Sequence, residues 1–128
     1  MLPSEHPQFI TITVYEWQHL LKPDKYKDLI LDSLNFLVKE KRVLVYGFAI
    51  MSNHLHLIWQ TLEPFNRSEV QRDFLKYVGQ QIKFDLIKNH PKVLEYFEVN
   101  KKDRKYQFWK RNSLSVDLFS ANVLDQKL

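Results

Sequence analysis

Two extended apolar runs, RVLVYGFAIM and NHLHLIWQ, are joined through a short connection at Met51 to Asn53. Both are rich in β-branched and aromatic residues, so both read as strands, and so short a link lets the second only fold back antiparallel on the first. Everything else in the chain has to be arranged around that hairpin. Upstream, QFITITVYEW alternates in polarity, which predicts a strand over residues 9 to 16 with Ile10, Ile12 and Val14 on one face. Between this strand and the hairpin, DKYKDLILDSLNFLVKEK carries apolar residues at Tyr26, Leu29, Ile30, Leu37 and Val38. Asp24 is placed to cap it, and the spacing predicts a helix to about residue 40.

Downstream of the hairpin, Ser68 and Gln71 form a capping-box pattern, and Val70, Phe74, Val78, Ile82 and Leu86 follow at helical spacing. This second helix is expected to end near Asn89, because Pro91 disfavours helix in the residue before it. Gly79 lies inside it at a cost of about 1 kcal/mol relative to alanine, which implies close packing at that position. YQFWKR and SVDLF then read as further extended pieces. The order strand, helix, strand, strand, helix, strand is that of an α+β, ferredoxin-like split β-α-β sandwich: a mostly antiparallel sheet with two helices on one face. The other face is left free for a ligand.

With 128 residues there is room for one core, so the expectation is a single domain over 1–128. The absence of cysteine excludes a disulfide framework, a thiolate metal site and a cysteine nucleophile. The start MLPSEHPQFI has neither the basic end nor the apolar stretch of a secretory signal, and no run approaches the roughly 20 apolar residues of a membrane span. A soluble, cytoplasmic protein is expected. At the far end, Ser120 can cap a helix carrying Val123, Leu124 and Leu128. Two isolated turns do not hold a helix, so the natural element is expected to continue past Leu128.

A net charge of +4 favours a polyanionic partner, and its distribution says more than its sum. In KKDRKYQFWKRN, the basic residues Lys101, Lys102, Arg104, Lys105, Lys110 and Arg111 face only Asp103. Tyr106, Phe108 and Trp109 are set among them. Cations for a phosphate backbone and flat rings for unpaired bases are what a single-stranded nucleic acid requires. Trp109 is the aromatic candidate for such a contact. A solvated loop leading into a strand with core rings would give the same pattern. Lys76 and Lys83, seven apart on the second helix and away from its apolar stripe, are further candidates for the same path.

The hairpin's second strand holds the chemistry. His54 and His56 fall on one face, about 7 Å apart along the backbone, while Leu55, Leu57 and Trp59 take the other. Neutral imidazole is the commonest side-chain metal ligand, and two converging rings can share a divalent ion if a third group approaches. Two hydrogen-bonded structural histidines are the plainer alternative. Asn53 and Gln60, polar in the same strand, favour a site.

MSNHLHLIW resembles the histidine-hydrophobe-histidine signature of the single-tyrosine HUH transposases, the insertion-sequence and REP-associated enzymes that move single-stranded DNA. FITITVYEW, RDFLKYVGQQIKFDL and YQFWKRNSLSVDLF stand in that family's order, so the resemblance covers Phe9 to Leu128. It implies a ferredoxin-like fold, usually a homodimer, that binds DNA hairpins and nicks one strand. It also implies magnesium or manganese held by His54 and His56, and attack by a tyrosine that leaves a 5′-phosphotyrosine. Ser52 stands where the family has proline, which loosens the turn before the histidines.

The nucleophile is the larger departure. In the family it lies on a helix after the segment matched by YQFWKRN…DLF, in a Tyr-Ile-x-x-Asn-Pro pattern that does not occur before Leu128. The resemblance therefore implies no catalytic tyrosine in this chain, which on its own would be inactive, with the nucleophile expected downstream. Tyr77, mid-helix beside Lys76, and Tyr15, Tyr46 and Tyr106 are read as packing residues. Two other functions fit the sequence: a non-cleaving DNA-binding derivative, and a small metal-dependent hydrolase. The hydrolase needs an acidic third ligand, and the histidine strand supplies none.

Overall fold

The computed structural model describes residues 6–111 and the strand backbone at 114–117. Strand β1 spans Gln8–Thr13, and a short turn of 3-10 helix follows at Tyr15–Trp17. Helix α1 is Asp24–Lys39, β2 is Val43–Ile50, β3 is His54–Thr61 and α2 is Arg67–Asn89. A five-residue helix α3, Pro91–Glu95, leads into β4, Glu98–Lys101, and β5, Arg104–Tyr106, before β6 at Leu114–Asp117. The helix expected from Ser120 through Val123 and Leu124 to Leu128, and the last two residues of SVDLF, lie outside the described residues.

Among the described residues the main sheet has the order β2-β3-β1-β6, and each neighbouring pair is antiparallel. This is the expected sandwich. Residues paired across strands share a face, so Ile10 with Leu57 and Ile12 with Leu55 build the inner surface. They lie in one buried cluster with Tyr26, Ile30, Leu34 and Leu37 of α1 and the α2 stripe Val70, Phe74, Val78, Ile82 and Leu86. Both helices therefore cover the same side of the sheet. Burial of each such side chain contributes about 1.5–3 kcal/mol, so this shared surface is what fixes the layers.

Some local expectations are corrected. Pro23, not Asp24, is the N-cap of α1; it makes no side-chain cap, and its carbonyl takes the Tyr26 N–H at 3.1 Å. Val38 stands on the outer side of α1, 41% exposed, because Leu34 and Leu37 already fill the inward stripe. The cap of α2 is Asn66, whose side chain accepts from Ser68 N at 2.9 Å and Glu69 N at 3.3 Å. Ser68 thereby becomes a helical residue. Of YQFWKR, only Tyr106 belongs to a strand; β5 pairs with β4. The rest runs beside β1: Tyr15 N donates to Phe108 O at 2.8 Å, and Lys110 N to Thr13 O at 2.7 Å.

Gly79 is explained by packing. A methyl group there would meet Trp109 Nε1 at 3.3 Å and Phe108 at 3.6 Å, so the glycine lets this segment close onto α2. The indole N–H then donates to Leu75 O at 3.0 Å.

The two long helices are also tied through Asp85. Its carboxylate accepts from the buried Tyr26 hydroxyl at 2.6 Å, pairs with Lys25 at 2.7 Å and accepts from Asn89 at 2.7 Å. The Lys25 ammonium first, then the Tyr26 hydroxyl, hold this carboxyl at about 2, down from its ordinary 3.8, against the opposing effect of burial. Burial first, and then the bond to Asp85, raises the Tyr26 hydroxyl in turn. Because the folded value is the lower one, this stabilisation is full above 3.8 and lost as pH falls toward about 2. Asp85→Asn is expected to cost about 1 kcal/mol at neutral pH, the usual worth of a charged hydrogen bond at a partly exposed site. At pH 2 most of the cost is gone, and it vanishes below that. Urea unfolding at the two pH values checks this; an equal loss at both would show that the charge is not what ties the helices.

Candidate metal centre and nucleic-acid interface

The sheet face opposite the helices carries Phe9, Thr11 and Thr13 from β1 against Ile58, His56 and His54 from β3. Alternation along β3 aims both imidazoles outward while Leu55 and Leu57 go to the core. Both rings are half-buried, with centroids 4.8 Å apart and planes at 74°. Phe9 stacks against the outer side of His56 at 5.4 Å.

Each ring is oriented by one nitrogen. His54 Nδ1 lies 2.8 Å from Asn53 Oδ1, a carbonyl oxygen that only accepts, so Nδ1 is the donor and the neutral tautomer held by this bond is the one whose Nε2 carries the lone pair. His56 Nδ1 lies 3.1 Å from Thr11 Oγ1, and donation to that hydroxyl leaves its Nε2 equally available. Burial first, and then the neighbouring His54, push His56 below its ordinary 6.5, so it is neutral at pH 7. A ring with one nitrogen held by a hydrogen bond and the other turned free is the arrangement histidine metal ligands use. Among the described residues no third His, Cys, Asp or Glu joins them, so the pair alone could offer a cation only two donors.

None of the described tyrosine hydroxyls hydrogen-bonds either histidine. Tyr26 is committed to Asp85 between the helices. Tyr46 donates to Gln60, which lies four residues along β3 from His56, or about 13 Å. Tyr77 is on the outer surface of the helical layer, across the sheet from the pair.

The basic segment forms the second part of the site. Residues 103–111 and one side of α2 enclose an open groove of about 990 Å³. It brings together Lys76 and Lys83 of α2 with Arg104, Lys105, Lys110 and Arg111, six cations against the lone carboxylate of Asp103. Arg104 is pinned, by Asp103 at 2.8 Å and Gln107 at 3.1 Å. Arg111 reaches the same carboxylate at 3.9 Å. Lys76, Lys83, Lys105 and Lys110 have no carboxylate partner among the described residues.

Lys101 and Lys102 are not in this groove. They stand at the turn of the β4–β5 hairpin, which carries them away from α2. Trp109 lines the groove with its N–H already used on Leu75 and its ring on Gly79, so packing accounts for it. The groove's far wall on α2 follows from helical spacing. That it faces 103–111 does not, since the contact joins segments some thirty residues apart.

The histidine pair and the groove share a strand. Thr13 pairs with His54 across the sheet, and its carbonyl takes the Lys110 N–H. Val14 N, in turn, donates to Asn53 O at 2.9 Å. One short stretch of β1 thus holds the turn before the histidines and the end of the basic segment.

No family model and no curated protein matches the chain. Solved structures do. A REP-associated tyrosine transposase bound to a REP hairpin superimposes with a TM-score of 0.67 at 10% identity, over 99% of this chain and 65% of that one. A candidate transposase from Deinococcus radiodurans gives 0.58 at 10% identity, over 94% of this chain and 84% of that one. The chain thus spans about two thirds of the length of the hairpin-bound structure. At such identity the likeness is one of architecture, and it agrees with the resemblance in the histidine strand: the chain has the fold of the tyrosine transposases.

Proposed function

We propose that this chain is the DNA-binding and metal-binding domain of a single-tyrosine transposase, acting on single-stranded or hairpin DNA. The observation that carries the proposal is the junction of a free-Nε2 histidine pair to a cationic groove through one strand of a transposase fold. Lys76, Lys83, Lys105 and Lys110 would hold the phosphate backbone, with Arg104 and Arg111 adding charge beside Asp103. Lys101 and Lys102, at the hairpin turn, would meet DNA only where it leaves the groove.

His54 and His56 would hold magnesium or manganese, which when bound supplies Lewis-acid polarisation of a phosphoryl oxygen. Asn53 and Thr11 orient those rings, and Phe9 shields His56 from water. Cleavage would fall to a tyrosine other than the six in this fold, since none hydrogen-bonds the pair. That same observation favours the second reading, a derivative that binds DNA without cutting it. The hydrolase alternative gains no acidic ligand among the described residues. A homodimer and a cytoplasmic setting belong to the same proposal. β2 is an outer strand with Tyr46 and Phe48 exposed, an edge to which a second copy can add. Among the described residues no helix is long and apolar enough to cross a membrane.

Binding of a hairpin oligonucleotide with single-stranded flanks, measured by anisotropy across a salt series, tests the reading. Each phosphate contact on a single strand contributes a slope of about −0.7 in log affinity against log salt. Lys83→Ala and Lys110→Ala are each expected to remove about one such contact. Salt-independent or absent binding by the parent chain would refute the proposal.

A further inference from the structure

The turn after β1 carries a feature that the metal pair and the groove leave unexplained. Two consecutive residues that are not glycine adopt the left-handed region, Glu16 at φ 54° and Trp17 at φ 56°. Bulky side chains avoid that region, and where a fold enforces it the strained residue is often positioned for a task. Packing of the ring is not the compensation, because Trp17 is 57% exposed. The turn is instead locked by backbone bonds, Trp17 N to Val14 O at 3.0 Å and Gln18 N to Tyr15 O at 3.2 Å. Its stem is clamped on one side by Phe108 and on the other by Asn53.

What the turn achieves is to place the indole beside the groove. Lys110, a groove cation, sets its ammonium 5.7 Å from the Trp17 ring centre. The stem of the same turn, through Thr13 and Val14, reaches the register of His54 and the backbone of Asn53. Trp17 therefore stands beside a groove cation, on a turn whose stem is bonded to the strand region of the histidine pair. Its situation differs from that of the other two tryptophans: Trp59 is sealed in the core, and Trp109 is committed to α2.

We infer that Trp17 is a stacking platform for an unpaired nucleobase, whose adjoining phosphate is held by Lys110 on the path from the groove to His54 and His56. The inference rests on the DNA-binding reading and adds to it a residue that selects single strands over duplex. A flat ring with one face toward an ammonium and broad exposure suits an unstacked base of any identity, so sequence tolerance is expected at this position. A base within a duplex is already stacked on its neighbours and gains nothing from Trp17.

The test uses the full chain, a fluorescently labelled mixed-sequence single-stranded oligonucleotide and the same sequence as duplex. Trp17→Ala is expected to weaken single-strand binding by about 5- to 150-fold, the range for one lost stacked base. Duplex affinity and the salt slope stay as in the parent. Trp17→Phe restores most of the affinity, and both variants lose the part of the tryptophan quenching by the single strand that comes from Trp17. Unchanged single-strand affinity with full quenching in Trp17→Ala would overturn the inference, as would equal losses on single strand and duplex. Failure of the parent to bind either nucleic acid brings down the DNA-binding reading itself, and this inference with it.

Discussion

His54→Ala is expected to abolish manganese binding: in calorimetry the parent chain should give a binding isotherm and the variant only heats of dilution. The pair supplies two imidazole donors and no third His, Cys, Asp or Glu among the described residues joins them, so losing one leaves a single ligand. A drop of at least ~100-fold is expected, since removal of even an orienting neighbour commonly costs 10- to 100-fold. His56→Ala behaves alike, and Thr11→Val, which removes only the orienting hydroxyl, falls between variant and parent. Neither histidine substitution touches the core, so all three variants unfold in urea near the parent midpoint. Equal manganese binding by parent and His54→Ala would mean that these are structural histidines and that the cation, if any, sits elsewhere.

Trp109→Ala has the largest expected effect on stability, about 2–4 kcal/mol by urea unfolding. The figure combines truncation of a half-buried indole with loss of its bond to Leu75 O. If the ring served chiefly to stack bases, stability would hold within about 0.5 kcal/mol, the range for surface changes, and only DNA affinity would fall. Gly79 supplies an internal control. Gly to Ala inside a helix ordinarily gains about 1 kcal/mol, but here the new methyl meets Trp109 Nε1 at 3.3 Å. Gly79→Ala is therefore expected to gain nothing in the parent and to recover its gain once Trp109 is alanine.

What could be read from the sequence was whatever repeats locally. Ile10, Ile12 and Val14 alternate because a strand has period two, and the Val70 to Leu86 stripe repeats because a helix turns every 3.6 residues, so both were legible with their faces. The His54 and His56 orientation followed from the same alternation. Helix starts were less legible. Asn66 and Ser68 are both good caps, and the choice between them depends on where the chain leaves Phe65, which no periodicity reports.

Contacts between distant segments were legible least. Gly79 announced tight packing, yet nothing in its surroundings named Trp109 as the partner. The lysines of α2 and the basic run were both readable as candidates for one nucleic-acid path, but neither pattern told that path from ordinary solvated surface, nor that the two would line opposite sides of one groove. The left-handed pair Glu16 and Trp17 carried no glycine or asparagine to advertise it, so the strand expected to run to residue 16 instead ends at Thr13 and gives way to a turn. In α3, Pro91 at the first helical position was a readable start signal that was taken only as a stop.

The bond from Lys110 to Thr13 has a geometric corollary. Thr13 lies in register with His54, so the ammonium-bearing segment and the imidazoles are mounted on a common sheet backbone with no hinge between them. On the proposed function such a mount would work as a fixed gauge: a strand seated on both would be measured out in whole nucleotides, and the phosphate brought to the imidazoles would be chosen by counting from the one gripped at Lys110.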